Sequence, residues 1–148
     1  ADSVMFCLSK ALGAPVGSML AGNQRDIDRA RLYRKRLGGG MRQAGILAAA
    51  GLIALEEMPQ RLEEDHENAK FLAAGLQAIG FELTAPQTNI VIFDLKDRMP
   101  VEQFFQELEK RGVRATGAGG KRIRFVTHYD VSRAGCERAL NAVQEIIQ

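Results

Sequence analysis

The chain has 148 residues, 46% apolar and 26% charged, a composition suited to a folded domain with a sizeable core. Its 20 basic and 18 acidic residues leave a formal charge of +2, which makes no case for nucleic acid or an anionic membrane surface as partner. No apolar run is long enough to span a bilayer, and the two cysteines and two histidines lack metal-site spacing, so no metal is expected. The first residues, Ala1-Asp2-Ser3, show no secretory leader pattern, and Cys7 and Cys136 read as reduced core thiols. The expected compartment is the cytoplasm.

In chain order, residues 3–8 (Ser-Val-Met-Phe-Cys-Leu) predict a buried strand and 16–21 a second. A buried strand needs neighbours, so a chain that opens on one reads as a fragment or one piece of a larger assembly. Asn23 is the expected N-cap of a polar helix over 25–36. Gly38-Gly39-Gly40 end that helix and open another over 41–57, apolar on nearly every face and therefore expected to be buried, with Pro59 at its break. A long helix follows over 61–79, with Glu63, Glu64, Asp65, Glu67 and Lys70 on its water face and Gly80 as C-cap. Strands are predicted over 81–84 and 89–95, then a helix from Pro100 to near Gly112. Strands over 113–116 and 122–127, joined by residues 117–120, lead to a final helix capped by Ser132. From about residue 61 onward this pattern is a small α/β sandwich with helices over one sheet face. Residues 1–58 lack a complete sheet and read as the tail of a larger domain.

Three segments carry candidate chemistry. In Cys7-Leu8-Ser9-Lys10-Ala11-Leu12-Gly13-Ala14-Pro15-Val16-Gly17-Ser18, one lysine stands between an apolar strand and a loop of small residues. Apolar walls disfavour an ammonium, and a neutral amine attacks carbonyls, so Lys10 is a candidate nucleophile. A solvated lysine at a strand end fits the same pattern. In the second segment, glycines 38–40 lead into a helix start flanked by Lys35 and Arg42, a setting for an anion or for a plain helix connection. In the third, Ile123-Arg124-Phe125-Val126-Thr127-His128-Tyr129-Asp130-Val131-Ser132, alternation puts Arg124 on the face opposite Ile123 and Phe125. Arg122 shares that face and is the rival candidate. His128 and Asp130 suit a turn into the last helix better than a proton relay. His66 reads as surface.

These segments resemble those of the low-specificity L-threonine aldolases, which belong to the aspartate-aminotransferase-like, fold type I enzymes of pyridoxal 5'-phosphate. The resemblance covers essentially the whole chain and is strongest over 3–18, 35–53 and 123–132; Ala11 departs from an expected glycine. It implies an α/β chain that is the C-terminal part of such an enzyme. Residues 1–58 would close the large cofactor-binding domain, and 59–148 would form the small domain. It further implies that Lys10 holds pyridoxal phosphate, that Lys35 and Arg42 reach a cofactor phosphate near a subunit interface, and that Arg124 grips the substrate α-carboxylate. The implied reaction is cleavage of threonine or allo-threonine to glycine and an aldehyde. The implied partners are an amino-acid substrate, the missing N-terminal part of the enzyme and further copies in a homodimer or homotetramer. In this family the carboxylate on the pyridine nitrogen, the ring-stacking group and the main phosphate cradle come from residues before the lysine, so the isolated chain is expected to be a poor catalyst. Other expected readings are a different fold type I activity, an aminotransferase or β-eliminating lyase, or a non-catalytic α/β fragment acting in assembly.

Overall fold

The small residues after Leu8 turn the chain back on itself. Strand β1 (Ser3–Cys7) pairs antiparallel with β2 (Ser18–Gly22), with Ser3 opposite Gly22 and Cys7 opposite Ser18. The computed structural model describes all residues, 1–148, and divides them into two compact units, Ala1–Arg61 and Leu62–Gln148.

In the first unit, α1 (Gln24–Arg36) follows its predicted cap. Asn23 Oδ1 accepts from the Asp26 backbone N–H at 3.0 Å, satisfying one of the free donors of the first turn. Arg34, Lys35 and Arg36 occupy the last turn, where cations oppose the helix dipole. Helix α2 spans Gly45–Glu56, four residues shorter at its start than the sequence predicts. The chain bends at Arg42 and Gln43, and Gln43 has φ +49°, which a right-handed helix cannot include.

Two expectations of burial fail in this unit. Strand β1 is not buried: Val4 and Met5 are 53% and 64% exposed. Helix α2 is not covered on every face either; it buries Gly51 and Ala54, while Ile46 is 85% exposed. The reason is geometric. Only the α2 stripe of small residues meets a neighbour, with Leu8, Ala14 and Ala54 forming a small core edged by Phe6 and Leu12. A Cβ at Gly51 would stand 3.2 Å from Leu8 Cδ1, so this glycine is where the strand end approaches the helix.

The second unit is built of α3 (Met58–Ala78), β3 (Ile90–Asp94), α4 (Val101–Lys110), β4 (Thr116–Gly117), β5 (Arg122–Val126) and α5 (Arg133–Ile147). The first turn of α3 crosses the boundary between the units. Pro59 sits in that turn, where its missing N–H costs nothing, and the helix break falls before it at Glu57. At the other end Gly80 takes φ +97°, and the Phe81 N–H donates to Leu76 O at 3.0 Å, a left-handed C-terminal cap. The predicted strand over 81–84 shrinks to one bridge, Leu83 to Phe93.

The sheet order is β3-β5-β4, antiparallel throughout. Period-2 alternation turns Val91, Phe93, Ile123 and Phe125 into the core, against Leu72 and Leu76 of α3, Phe104 and Leu108 of α4, and Cys136 and Val143 of α5. Phe93 is the centre of an aromatic cluster, edge-on to Phe81, Phe104 and Phe125 with ring centroids 4.9, 6.3 and 5.3 Å away. A Cβ at Gly75 would overlap Leu140, so this glycine lets α3 and α5 approach closely. The other face of the sheet is open and carries Ile90, Ile92, Arg122, Arg124 and Val126.

Asp65 corrects its predicted place on the water face of α3. It is fully buried, as is Asn68 one turn on. This side of the helix packs against the end of β5, where the Thr127 hydroxyl donates to the Asp65 backbone carbonyl at 2.6 Å and lies 3.3 Å from Asn89 O. Asn68 Nδ2 donates to Val131 O at 3.1 Å, and Asn89 Nδ2 to Thr127 O at 2.8 Å. Every buried side-chain nitrogen and oxygen has a partner. This network ties α3 to the end of β5. Replacing Thr127 with valine keeps the shape and deletes the donor, and should lower unfolding stability by about 1–2 kcal/mol in urea titration of the full chain.

Candidate active site

Lys10 lies on a turn whose backbone is closed at several points. Leu8 N–H donates to Gly17 O at 2.9 Å, Ala14 N–H to Leu8 O at 3.0 Å, and Gly13 N–H to Lys10 O at 2.9 Å. Gly13 has φ +74° and Gly17 φ +134°, conformations that side chains rarely adopt, which is why the sequence places glycine at both. The turn presents the Lys10 amine outward while Leu8 and Ala14 anchor it from below. The sheltered setting expected for this amine is not formed by residues of its own unit. Lys10 is exposed, because the strand expected to wall it in is itself exposed.

Lys35 is also exposed, at the end of α1, and its side chain folds over the glycine run. The Cβ that Gly40 lacks would stand 3.0 Å from Lys35 Cδ and 3.7 Å from Nζ. Glycine at 40 therefore leaves that ammonium beside the bare backbone of 38–40. Arg42 is exposed in the bend that follows. Because α2 starts only at Gly45, the glycines do not lead straight into a helix N-terminus as predicted.

In the second unit, Arg124 stands on the open sheet face, half-buried, with Ile123 and Phe125 pointing the other way into the core. In the sheet register it is opposite Ile92 on one side and Thr116 on the other. Its Nε–H donates to Thr116 Oγ1 at 3.0 Å. Ile90 and Val126 pair next along the same face. A guanidinium beside such apolar neighbours suits a carboxylate, because the planar fork can make two parallel charge-assisted bonds where water competes poorly. Arg122, the rival, is exposed at the strand start, opposite Asp94, and its Nε contacts Gly119 O at 3.4 Å.

His128 and Asp130 serve the turn. The Asp130 backbone N–H donates to His128 Nδ1 at 3.3 Å, and Ser132 Oγ caps α5 by accepting from Gly135 N–H at 3.2 Å. A cleft of about 550 Å³ opens here, lined among others by Arg114, His128, Val131, Cys136 and Arg138. Cys136 is almost fully buried and burial pushes its thiol up, which suits an inert core residue. No cluster of His, Cys, Asp and Glu is placed to hold a metal ion, and no helix is long and apolar enough to cross a membrane.

In the sequence Thr116 is one polar residue before a glycine turn and carries no local mark of a role. Its signal is the hairpin: strands joined through 118–121 bring residue 116 level with 124.

The fold is shared with solved enzymes. A structure described as SPT with PLP internal aldimine superposes with a TM-score of 0.75 at 23% identity, covering 97% of this chain and 39% of that one. The chain thus has the α/β fold of part of a fold type I enzyme. A model of the beta-eliminating lyase family matches residues 1–98, and the chain belongs to that family. It is 42% identical over 150 residues to low-specificity L-threonine aldolase 1 of Arabidopsis thaliana, and 43% identical over 132 residues to the low specificity L-threonine aldolase of Escherichia coli strain K12. The alignments cover 98% and 89% of this chain but 42% and 39% of the relatives, so the chain spans about two fifths of their length.

Proposed function

We propose that this chain is the lysine-bearing, C-terminal part of a pyridoxal-phosphate L-threonine aldolase. In this reading residues 1–58 end the large domain and 59–148 form the small one. The observation that carries the proposal is the likeness to the threonine aldolases along almost the whole chain, through the Lys10 and Arg124 segments alike.

The side chains fit the cofactor chemically. Lys10 offers an exposed primary amine, on a turn fixed by three backbone bonds, to an aldehyde. Lys35, held over bare glycine backbone, and Arg42 offer cations to a phosphate. When bound, pyridoxal phosphate supplies the ring that takes up the electron pair of the breaking Cα–Cβ bond. The chain's own residues do the rest of what is assigned to them here. Lys10 Nζ must lose its charge to engage the aldehyde, and once released it can carry a proton. Arg124 fixes the α-carboxylate and so restricts rotation about Cα. The complete enzyme is proposed to act in the cytoplasm as a homodimer or homotetramer, converting L-threonine or L-allo-threonine into glycine and acetaldehyde.

The family match favours a second reading, β-elimination. Products decide between them. Aldol cleavage of threonine yields glycine and acetaldehyde, whereas β-elimination yields 2-oxobutanoate and ammonia.

Arg124 supplies the test of the site. In the complete enzyme, Arg124→Ala should raise KM for threonine by ~30-fold to several thousand-fold, as expected for the loss of a charge-assisted bidentate pair worth about 2–5 kcal/mol. Retention of pyridoxal phosphate should change less than about twofold, since Arg124 is assigned to the substrate rather than the cofactor. Arg124→Lys should recover little, because a point charge does not reproduce the fork. Equal losses of threonine and cofactor binding would assign Arg124 to the fold instead.

A further inference from the structure

We propose that Thr116 is a positioning residue for the substrate carboxylate, acting through Arg124. The inference rests on the reading of Arg124 given above and goes one residue beyond it.

A guanidinium has two edges that can take a carboxylate with two bonds: the side edge, Nε with one Nη, and the end edge, with both Nη atoms. In this structure the side edge is engaged. Arg124 Nε–H donates to Thr116 Oγ1 at 3.0 Å, and the two residues are direct partners in the β4–β5 ladder. The bond therefore belongs to the register and does not depend on a flexible loop. It leaves the end edge to meet an incoming carboxylate.

The neighbours reinforce that choice. Ile92 stands opposite Arg124 on the other strand, and Ile90 and Val126 follow on the same face. None of these side chains offers the guanidinium a hydrogen bond. Without Thr116 Oγ1 the arginine would keep its charge and lose its aim. A long side chain that must be ordered on each binding event costs affinity that a pre-ordered one does not. Thr116 is β-branched, so its own rotamer is restricted on the strand and its hydroxyl is held in place. Arg122 Nε donates instead to a turn carbonyl, Gly119 O, at the longer distance of 3.4 Å, and not to a side chain paired with it in the ladder.

The test uses the complete enzyme and four variants: Thr116→Val, Thr116→Ser, Arg124→Ala, and Thr116→Val with Arg124→Ala. Valine keeps the branched shape and removes the acceptor; serine keeps the acceptor. Thr116→Val should raise KM for threonine about tenfold, the scale of one hydrogen bond to a charged group. Its kcat, cofactor occupancy and melting temperature should stay near wild type, because the lost interaction acts on the carboxylate alone. Thr116→Ser should recover most of the loss. In the Arg124→Ala background, Thr116→Val should have no further effect on KM. If Arg124→Ala leaves KM unchanged, the assignment of Arg124 falls and this one with it. If Arg124→Ala raises KM but Thr116→Val does not, or does so equally in both backgrounds, only the role of Thr116 is overturned. A loss of occupancy or melting temperature that matches the loss of affinity would likewise assign Thr116 to the fold.

Discussion

Replacing Lys10 with alanine in the complete enzyme should abolish covalent retention of pyridoxal phosphate and lower turnover by at least about three orders of magnitude, the scale on which a proton-transferring group and a covalent anchor contribute together. Only an amine that can become neutral can link to the aldehyde. Lys10→Arg is therefore the sharper control: arginine keeps the charge and length but stays protonated throughout the accessible pH range, and should fail as completely as alanine. Hydride reduction of the wild-type enzyme, followed by proteolysis and mass spectrometry, should place the pyridoxyl group on the peptide containing Lys10. A tag on Lys35, or on a lysine from another part of the enzyme, would overturn the assignment. The turn around Lys10 also gives a reason why the position is fixed. Gly13 and Gly17 hold positive φ, and the Leu8 and Ala14 side chains are buried below it, so the amine leaves the turn from a framed backbone.

How much of this could be read from the chain alone differs between the two units, and the difference is physical. Helices α4 and α5 are legible because local signals agree: Pro100 starts one, Ser132 caps the other, and apolar residues recur at three and four positions. Strand β5 is legible because Ile123, Arg124 and Phe125 alternate, and the alternation alone puts Arg124 on the face opposite the core. Asp65 is not legible, because a run of acids has the pattern of a solvated face. It lies at the turn of α3 whose backbone carbonyl accepts from Thr127, 62 residues later, a packing that no local pattern can report. Strand β1 and helix α2 failed in the opposite sense. Their composition demands burial, yet a sequence states how apolar a surface is without stating which residues cover it. Residues 1–61 cover only the Leu8, Ala14 and Ala54 stripe. The shelter expected for Lys10 failed with β1, since it was inferred from that strand. Thr116 is not legible locally, because its place beside Arg124 exists only in the register, where a polar residue before a turn becomes the partner of an arginine.

The full chain with Phe93→Ala should lose about 3–5 kcal/mol of unfolding stability, the largest effect expected of any single truncation in the second unit. Phe93 is 1% exposed and stands edge-on to three other rings, so its removal deletes the centre of the core and a set of oriented aromatic contacts together. A domain of this size is stabilised by only about 5–15 kcal/mol in total, so the alanine variant should lose a large share of its stability and melt at a clearly lower temperature. Phe93→Leu tests the same claim in a protein that stays folded. Leucine keeps apolar volume but loses the ring, and should cost about 1–2 kcal/mol, read as a lowered urea midpoint with an unchanged slope. The consequence for the site follows from strand geometry. Phe93 faces the core opposite Ile123, while Ile92 on the other face lies opposite Arg124, so the ring cluster secures the strand pair that carries the arginine without touching it. In the complete enzyme, Phe93→Leu should therefore reduce the amount of active protein on heating and leave KM for threonine within about twofold at low temperature, since a core residue acts through the folded population. A Phe93→Leu enzyme with an unmoved midpoint would show that the rings contribute no more than their volume, and one with a markedly raised KM would show that the sheet transmits core packing directly to Arg124.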